Sequence, residues 1–259
     1  MIKPRRKRRR GIYLLPTLFT VGNLFCGFSA IIQSMDGHLT SAAILIVVAG
    51  VLDGLDGRIA RLTNTTSEFG FEFDSLADLV SFGLAPAVLA YAWVLKPFER
   101  VGWLVGFIFV VCAAMRLARF NLRNTVQEKR HFAGLPSPAA AGIFSSLMLT
   151  FPNAFNEGTA VAAPIAIVIF LALLMVSRVR YPAFKDLGLS DRKSYFVVLP
   201  VAVSIVAIVL FREWALLGMG VVYLLSAPVS GLWSWRRRSR RESQATSAEE
   251  SVGDGTPVR

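Results

Sequence analysis

Four aspartates in this chain are spaced for joint chemistry. Asp53 and Asp56 are three residues apart, and Asp74 and Asp78 are four apart. On a helix of about 3.6 residues per turn, each pair shares a face. Gly57, Ala60, Arg61 and Gly70 stand around them, with a polar stretch between the pairs. Both pairs are set in long apolar segments. An aspartate at the centre of a membrane helix costs roughly 2.5–3.5 kcal/mol, so four cost on the order of 10 kcal/mol, less near the water interface. Folding the second helix back on the first gathers all four and adds repulsion. One or two divalent cations offset both costs. Hard oxygen ligands suit Mg²⁺ or Mn²⁺, and Mg²⁺ commonly combines carboxylates with substrate phosphates. Arg61 faces the same cluster, a position suited to a phosphate or an aspartate. One arginine cannot neutralise four aspartates, which weighs against a purely structural pairing.

The elements that must hold these residues are membrane helices. The 259 residues are 54% hydrophobic and only 17% charged, too apolar for an ordinary soluble domain. The net charge of +11 resides outside the apolar runs. Residues 3–10 carry seven Lys or Arg, and residues 236–241 carry five arginines. Basic flanks of this kind mark the cytoplasmic side of a membrane protein, and no nucleic-acid motif accompanies them, so nucleic acid is not an expected partner. Apolar patterning predicts an all-α, polytopic bundle of about eight spans, near 17–33, 40–62, 71–95, 101–122, 138–151, 160–179, 194–210 and 215–233. An even number of spans puts both termini in the cytoplasm and the aspartates near the cytoplasmic face of the cell membrane. Residues 1–11 read as a basic arm and 12–235 as the membrane-embedded domain. Within that domain a six-helix core covers about 12–185, and two further helices cover about 194–235. Residues 236–259 read as a basic, then disordered tail. Cys26 and Cys112 fall within spans and read as small buried hydrophobes. His38 and His131 read as loop residues, and Ser137 as a helix cap.

The motif Asp53-x-x-Asp56-Gly57-x-x-Ala60-Arg61, eight residues, Gly70-x-x-x-Asp74-x-x-x-Asp78 resembles the signature of the CDP-alcohol phosphatidyltransferases at all eight defining positions. The resemblance implies transfer of a phosphatidyl group from CDP-diacylglycerol to an alcohol, with release of CMP. It implies Asp53, Asp56 and Asp74 as metal ligands. Asp78 would be the general base, also within touch of a metal, and two Mg²⁺ or Mn²⁺ ions would be bound. Gly57 and Ala60 would admit the nucleotide close to the helix backbone. Arg61 would contact a phosphate of CDP-diacylglycerol, and Gly70 would permit a tight turn or close packing. A homodimer in membrane lipid is the expected assembly.

Two further stretches narrow the acceptor. Residues 15–27, LPTLFTVGNLFCG, resemble the first span of bacterial phosphatidylserine synthases; Thr20 and Asn23 lie there at helical spacing, suited to the diphosphate or lipid ester. The run Arg116-Leu117-Ala118-Arg119-Phe120-Asn121 and the segment FAGLPSPAA at 132–140 are similar to the same enzymes. Arg116 and Arg119, with Asn121, are the candidates for holding the carboxylate of L-serine or a phosphate; the plainer reading is that the arginines are cytoplasmic flank charges. Glycerol 3-phosphate or an inositol phosphate is the alternative acceptor. An Mg²⁺ transporter or channel is the alternative from another class. The last two spans carry no recognisable chemistry and read as packing or dimer contact.

Overall fold

A computed structural model describes residues 14–63, 67–125, 132–153, 162–177, 179–181 and 214–226. Helix α1 (Leu14–Met35) and helix α2 (Leu39–Thr63) form an antiparallel pair. The turn between them uses Gly37 at φ +81°, which only a residue without Cβ adopts freely. Their interface is built from small residues, with Ala30, Ala42, Ala43 and Ala49 fully buried, so the backbones come close. On the other side of α1, Leu18, Val21, Phe25, Phe28 and Ile32 are exposed at helical spacing. This stripe is the surface that lipid would cover.

Helix α3 (Glu68–Asp78) starts three residues earlier than the apolar pattern predicts. Ser67 is its N-cap, and the Ser67 hydroxyl accepts from the Gly70 N–H at 3.0 Å. The rod continues without a break through a π-helical segment (Leu79–Leu84), α4 (Ala85–Ala90), a second π-helical segment (Tyr91–Leu95) and a 3₁₀ turn (Lys96–Phe98). The loop expected at 96–100 is thus nearly all helical. Its reversal is concentrated at Glu99, with φ 45° and ψ −116°. Helix α5 (Glu99–Thr125) then runs back along the rod. A Cβ at Gly83 would lie 3.2 Å from Ala113, and one at Gly106 would lie 3.5 Å from the Ala87 carbonyl. Small residues therefore set the spacing of this hairpin too.

Helix α6 (Ser137–Thr150), helix α7 (Ala162–Val176) and helix α8 (Trp214–Ser226) follow. Strands β1 (Phe132–Ala133) and β2 (Arg180–Tyr181) pair antiparallel, Phe132 opposite Tyr181. The same tie continues as Gly134 N–H to Val179 O at 2.9 Å and Leu135 N–H to Leu174 O at 3.0 Å. Gly134 sits at φ +93°, and a Cβ there would collide with the Met175 carbonyl. This lashing fixes where α6 begins. Apart from the two-residue pairing, the described residues with regular structure are helical. Thr17–Met35, Leu39–Ile59 and Glu68–Leu122 are long and apolar enough to cross a membrane, the last as the hairpin just described, and α6, α7 and α8 are shorter apolar helices. The expected span at 194–210, the basic arm and the tail lie outside the described residues.

Candidate active site

The α1–α2 pair and the start of the long rod converge on the four aspartates. Asp53, Asp56 and Asp74 each offer a carboxylate oxygen, and these oxygens lie within 4.8 Å of one another. Each like-charged pair at that range repels by about 3–4 kcal/mol at an effective dielectric near 20. Asp56 is buried, and its Oδ2 accepts from Thr20 Oγ1 at 3.1 Å. Asp74 Oδ1 is buried without a protein hydrogen-bond partner, and such an atom demands a ligand. Three gathered carboxylates, all-oxygen donors and one orphaned oxygen fit a hard divalent cation.

Asp78 stands beside this group and is held differently. Its Oδ1 accepts from Asn23 Nδ2 at 3.2 Å, and its carboxyl adjoins that of Asp53. Asn23 is fully buried, and its main-chain carbonyl accepts from Ser81 Oγ at 3.0 Å. A Cβ at Gly27, one turn further along α1, would lie only 2.7 Å from Ser81 Cα. The close approach of α1 to the π-helical segment after Asp78 thus sets the Asn23–Asp78 contact.

The remaining motif positions are distributed as follows. Gly57 is exposed, and a Cβ there would meet nothing within 4 Å. Gly70 is committed to the α3 cap, where a Cβ would lie 3.0 Å from the Ser67 hydroxyl. Ala60 and Arg61 lie on the last turns of α2, and their side chains are outside the described residues. Arg116, on α5, donates to the Ser137 hydroxyl and interacts electrostatically with Asp78 and Asp53. Ser137 is therefore not the cap of α6: Pro136 occupies that position, and the Ser137 hydroxyl is turned to Arg116 instead. A guanidinium offers five N–H donors, so it competes with the backbone N–H groups of the first turn for the Ser137 oxygen. Arg119 is half-buried. Asn121 donates to Ser75 Oγ at 3.1 Å and to Glu72 Oε2 at 3.5 Å, tying α5 to α3. His38 is exposed in the α1–α2 turn, and Cys26 and Cys112 are buried and free.

A family model described as CDP-alcohol phosphatidyltransferase matches residues 13–179. The chain belongs to this family. Three relatives place it more finely among these phosphatidyltransferases. It is 44% identical over 176 residues to the CDP-diacylglycerol–serine O-phosphatidyltransferase of Helicobacter pylori, covering 67% of this chain and 74% of that protein. It is 37% identical over 186 residues to the archaetidylserine synthase of Methanothermobacter thermautotrophicus, covering 71% and 76%. It is 35% identical over 172 residues to the CDP-diacylglycerol–serine O-phosphatidyltransferase of Bacillus subtilis, covering 66% and 91%.

Sequence reasoning missed Ser81, Ser75 and the true partner of Ser137. A serine buried in an apolar span three residues after Asp78 was a usable signal for Ser81. The other two contacts join residues 46 and 21 positions apart, which no local pattern encodes.

Proposed function

We propose that this phosphatidyltransferase moves the phosphatidyl group of CDP-diacylglycerol onto the hydroxyl of L-serine, giving phosphatidylserine and CMP. The observation that carries the chemistry is the three-carboxylate cluster with a fourth carboxylate held beside it by Asn23. The printed names of the relatives support serine as the acceptor.

Asp53, Asp56 and Asp74 would hold the metal, read as two Mg²⁺ or Mn²⁺ ions with Asp78 in touch with one. Bound there, the metal supplies neutralisation of the diphosphate and of the charge that develops on departing CMP. Thr20 keeps Asp56 turned toward its neighbours through the 3.1 Å hydrogen bond. Asp78 takes the proton of the serine hydroxyl as that oxygen bonds to the phosphorus bearing diacylglycerol and the bond to CMP breaks. Asn23 fixes the Asp78 carboxylate for this transfer. The open space at Gly57 suits a nucleotide lying against α2. Ala60 is small for the same purpose, and Arg61 takes a phosphate. Gly70 serves by allowing the cap that starts α3. Arg116, with Arg119 and Asn121 in the following turns, belongs to the acceptor side; Asn121 acts there through its tie to Ser75.

We further infer eight spans, both termini in the cytoplasm, and a site near the cytoplasmic face of the cell membrane, in a homodimer. The basic runs at 3–10 and 236–241 support this orientation. In this layout residues 12–185 form the catalytic core and 194–235 add two helices. Purified protein in detergent with Mg²⁺ or Mn²⁺, CDP-diacylglycerol and labelled serine tests the function. CMP release that requires serine supports it. Release only with glycerol 3-phosphate or an inositol phosphate changes the acceptor. No turnover with any alcohol, alongside Mg²⁺ flux into liposomes, overturns the enzyme in favour of a transporter.

A further inference from the structure

The segment that leads into α6 is held more firmly than a connecting loop requires. Gly134 N–H donates to Val179 O at 2.9 Å and Leu135 N–H to Leu174 O at 3.0 Å, so two successive residues are tied to the end of α7 and the stretch after it. Leu135 is fully buried. Gly134 takes φ +93° against the Met175 carbonyl, where no side chain fits. Ser137 stands two residues beyond Leu135, at the head of α6, and is itself fully buried. A buried serine on a clasped segment has little freedom, and its hydroxyl accepts from the Arg116 guanidinium.

Two contacts fix the height of Arg116 along the rod. Asn121 donates to Ser75 Oγ at 3.1 Å, and a Cβ at Gly83 would lie 3.2 Å from Ala113. In this antiparallel hairpin the two contacts bracket both Asp78 and Arg116. Arg116 therefore stands within about one helical turn of the level of Asp78. A long, unrestrained arginine side chain spreads over many rotamers, and beside carboxylates it would pair with them. A hydrogen bond to a fixed hydroxyl on α6 opposes both. It uses only part of the guanidinium's five donors, and the planar fork matches a carboxylate in bidentate fashion.

We propose that Ser137 is a positioning residue of the acceptor site: clasped at the head of α6, it accepts from Arg116 and holds the guanidinium level with Asp78, where the fork takes the carboxylate of the acceptor. This rests on serine as acceptor. The β1–β2 pairing and the two hydrogen bonds that continue it then serve the acceptor site, because they fix where the Ser137 hydroxyl stands.

The test is Ser137→Ala and Ser137→Cys in the full-length protein, assayed by CMP release with serine and CDP-diacylglycerol varied in turn. Both variants remove the accepting oxygen. Alanine leaves a small void, and cysteine fills the space with a weak acceptor. Serinol, in which a hydroxymethyl group replaces the carboxylate, is the comparison acceptor. Losing a hydrogen bond to a charged group corresponds to roughly a tenfold rise in KM for serine in each variant. The preference for serine over serinol falls by a similar factor, while KM for CDP-diacylglycerol stays at wild type. Ser146→Ala removes another buried hydroxyl from α6, one bonded to the Ile143 carbonyl at 2.9 Å, and leaves acceptor preference unchanged. A wild-type serine KM in either Ser137 variant overturns the proposal. So does a parallel rise for both substrates, an equal loss with serinol, or a preference change reproduced by Ser146→Ala. Wild-type protein that ignores serine sinks the function reading and this proposal together; wild-type turnover with serine, alongside Ser137 variants that keep the preference, sinks this proposal alone.

Discussion

Two glycines separate the packing of this site from its chemistry, and alanine at each gives opposite expectations. At Gly27 an added Cβ would lie 2.7 Å from Ser81 Cα, whereas ordinary contact begins at 3.4 Å. A backbone atom cannot swing aside, so α1 must withdraw by about 0.7 Å. Asn23 is one turn away on the same helix. Moving it by that amount lengthens its 3.2 Å bond to Asp78 to about 3.9 Å, outside hydrogen-bonding range. The overpacking itself costs about 1–3 kcal/mol of stability. The lost bond to an ionised carboxylate is worth about 1.5–3 kcal/mol. Expressed in the transition state, that is roughly a tenfold to hundredfold fall in turnover. Gly57→Ala adds a methyl where nothing lies within 4 Å. Its melting temperature should match wild type, while KM for CDP-diacylglycerol rises several-fold because the methyl occupies the nucleotide's approach. Thermal unfolding in detergent and steady-state CMP release measure both effects. Wild-type stability and turnover in Gly27→Ala would refute the proposed coupling between the α1 contact and Asp78.

Asp78→Asn should abolish turnover while CDP-diacylglycerol still binds, because the three-carboxylate group does not include Asp78; loss of binding in parallel would make Asp78 chiefly a metal ligand. Treatment with a chelator should stop CMP release, and Mg²⁺ or Mn²⁺ should restore it, since three carboxylates within 4.8 Å repel without a cation; full activity after exhaustive chelation would contradict the assignment.

Helix positions and the aspartate motif were legible in advance because both follow local periodicity. The first two helices, Leu14–Met35 and Leu39–Thr63, fall within a few residues of the expected 17–33 and 40–62, since apolar runs of membrane length leave the chain little alternative. The loop at 96–100 was misjudged. Lys96, Pro97 and Glu99 look like a break in composition, but a 3₁₀ turn and one left-handed residue suffice to reverse the rod.

By itself, the order of residues determined that four carboxylates would face one another on two helices, because spacings of three and four match the helical repeat. It also determined that those helices belong in a membrane. Only tertiary packing decided how the carboxylates differ: Asp56 meets Thr20, Asp78 meets Asn23, and Asp74 keeps an oxygen with no protein partner. Packing likewise brought Ser137 to Arg116. The physical reason is that helical period is a property of neighbours in the chain. The meeting of side chains tens of residues apart depends on how closely glycine, alanine and serine let whole helices approach.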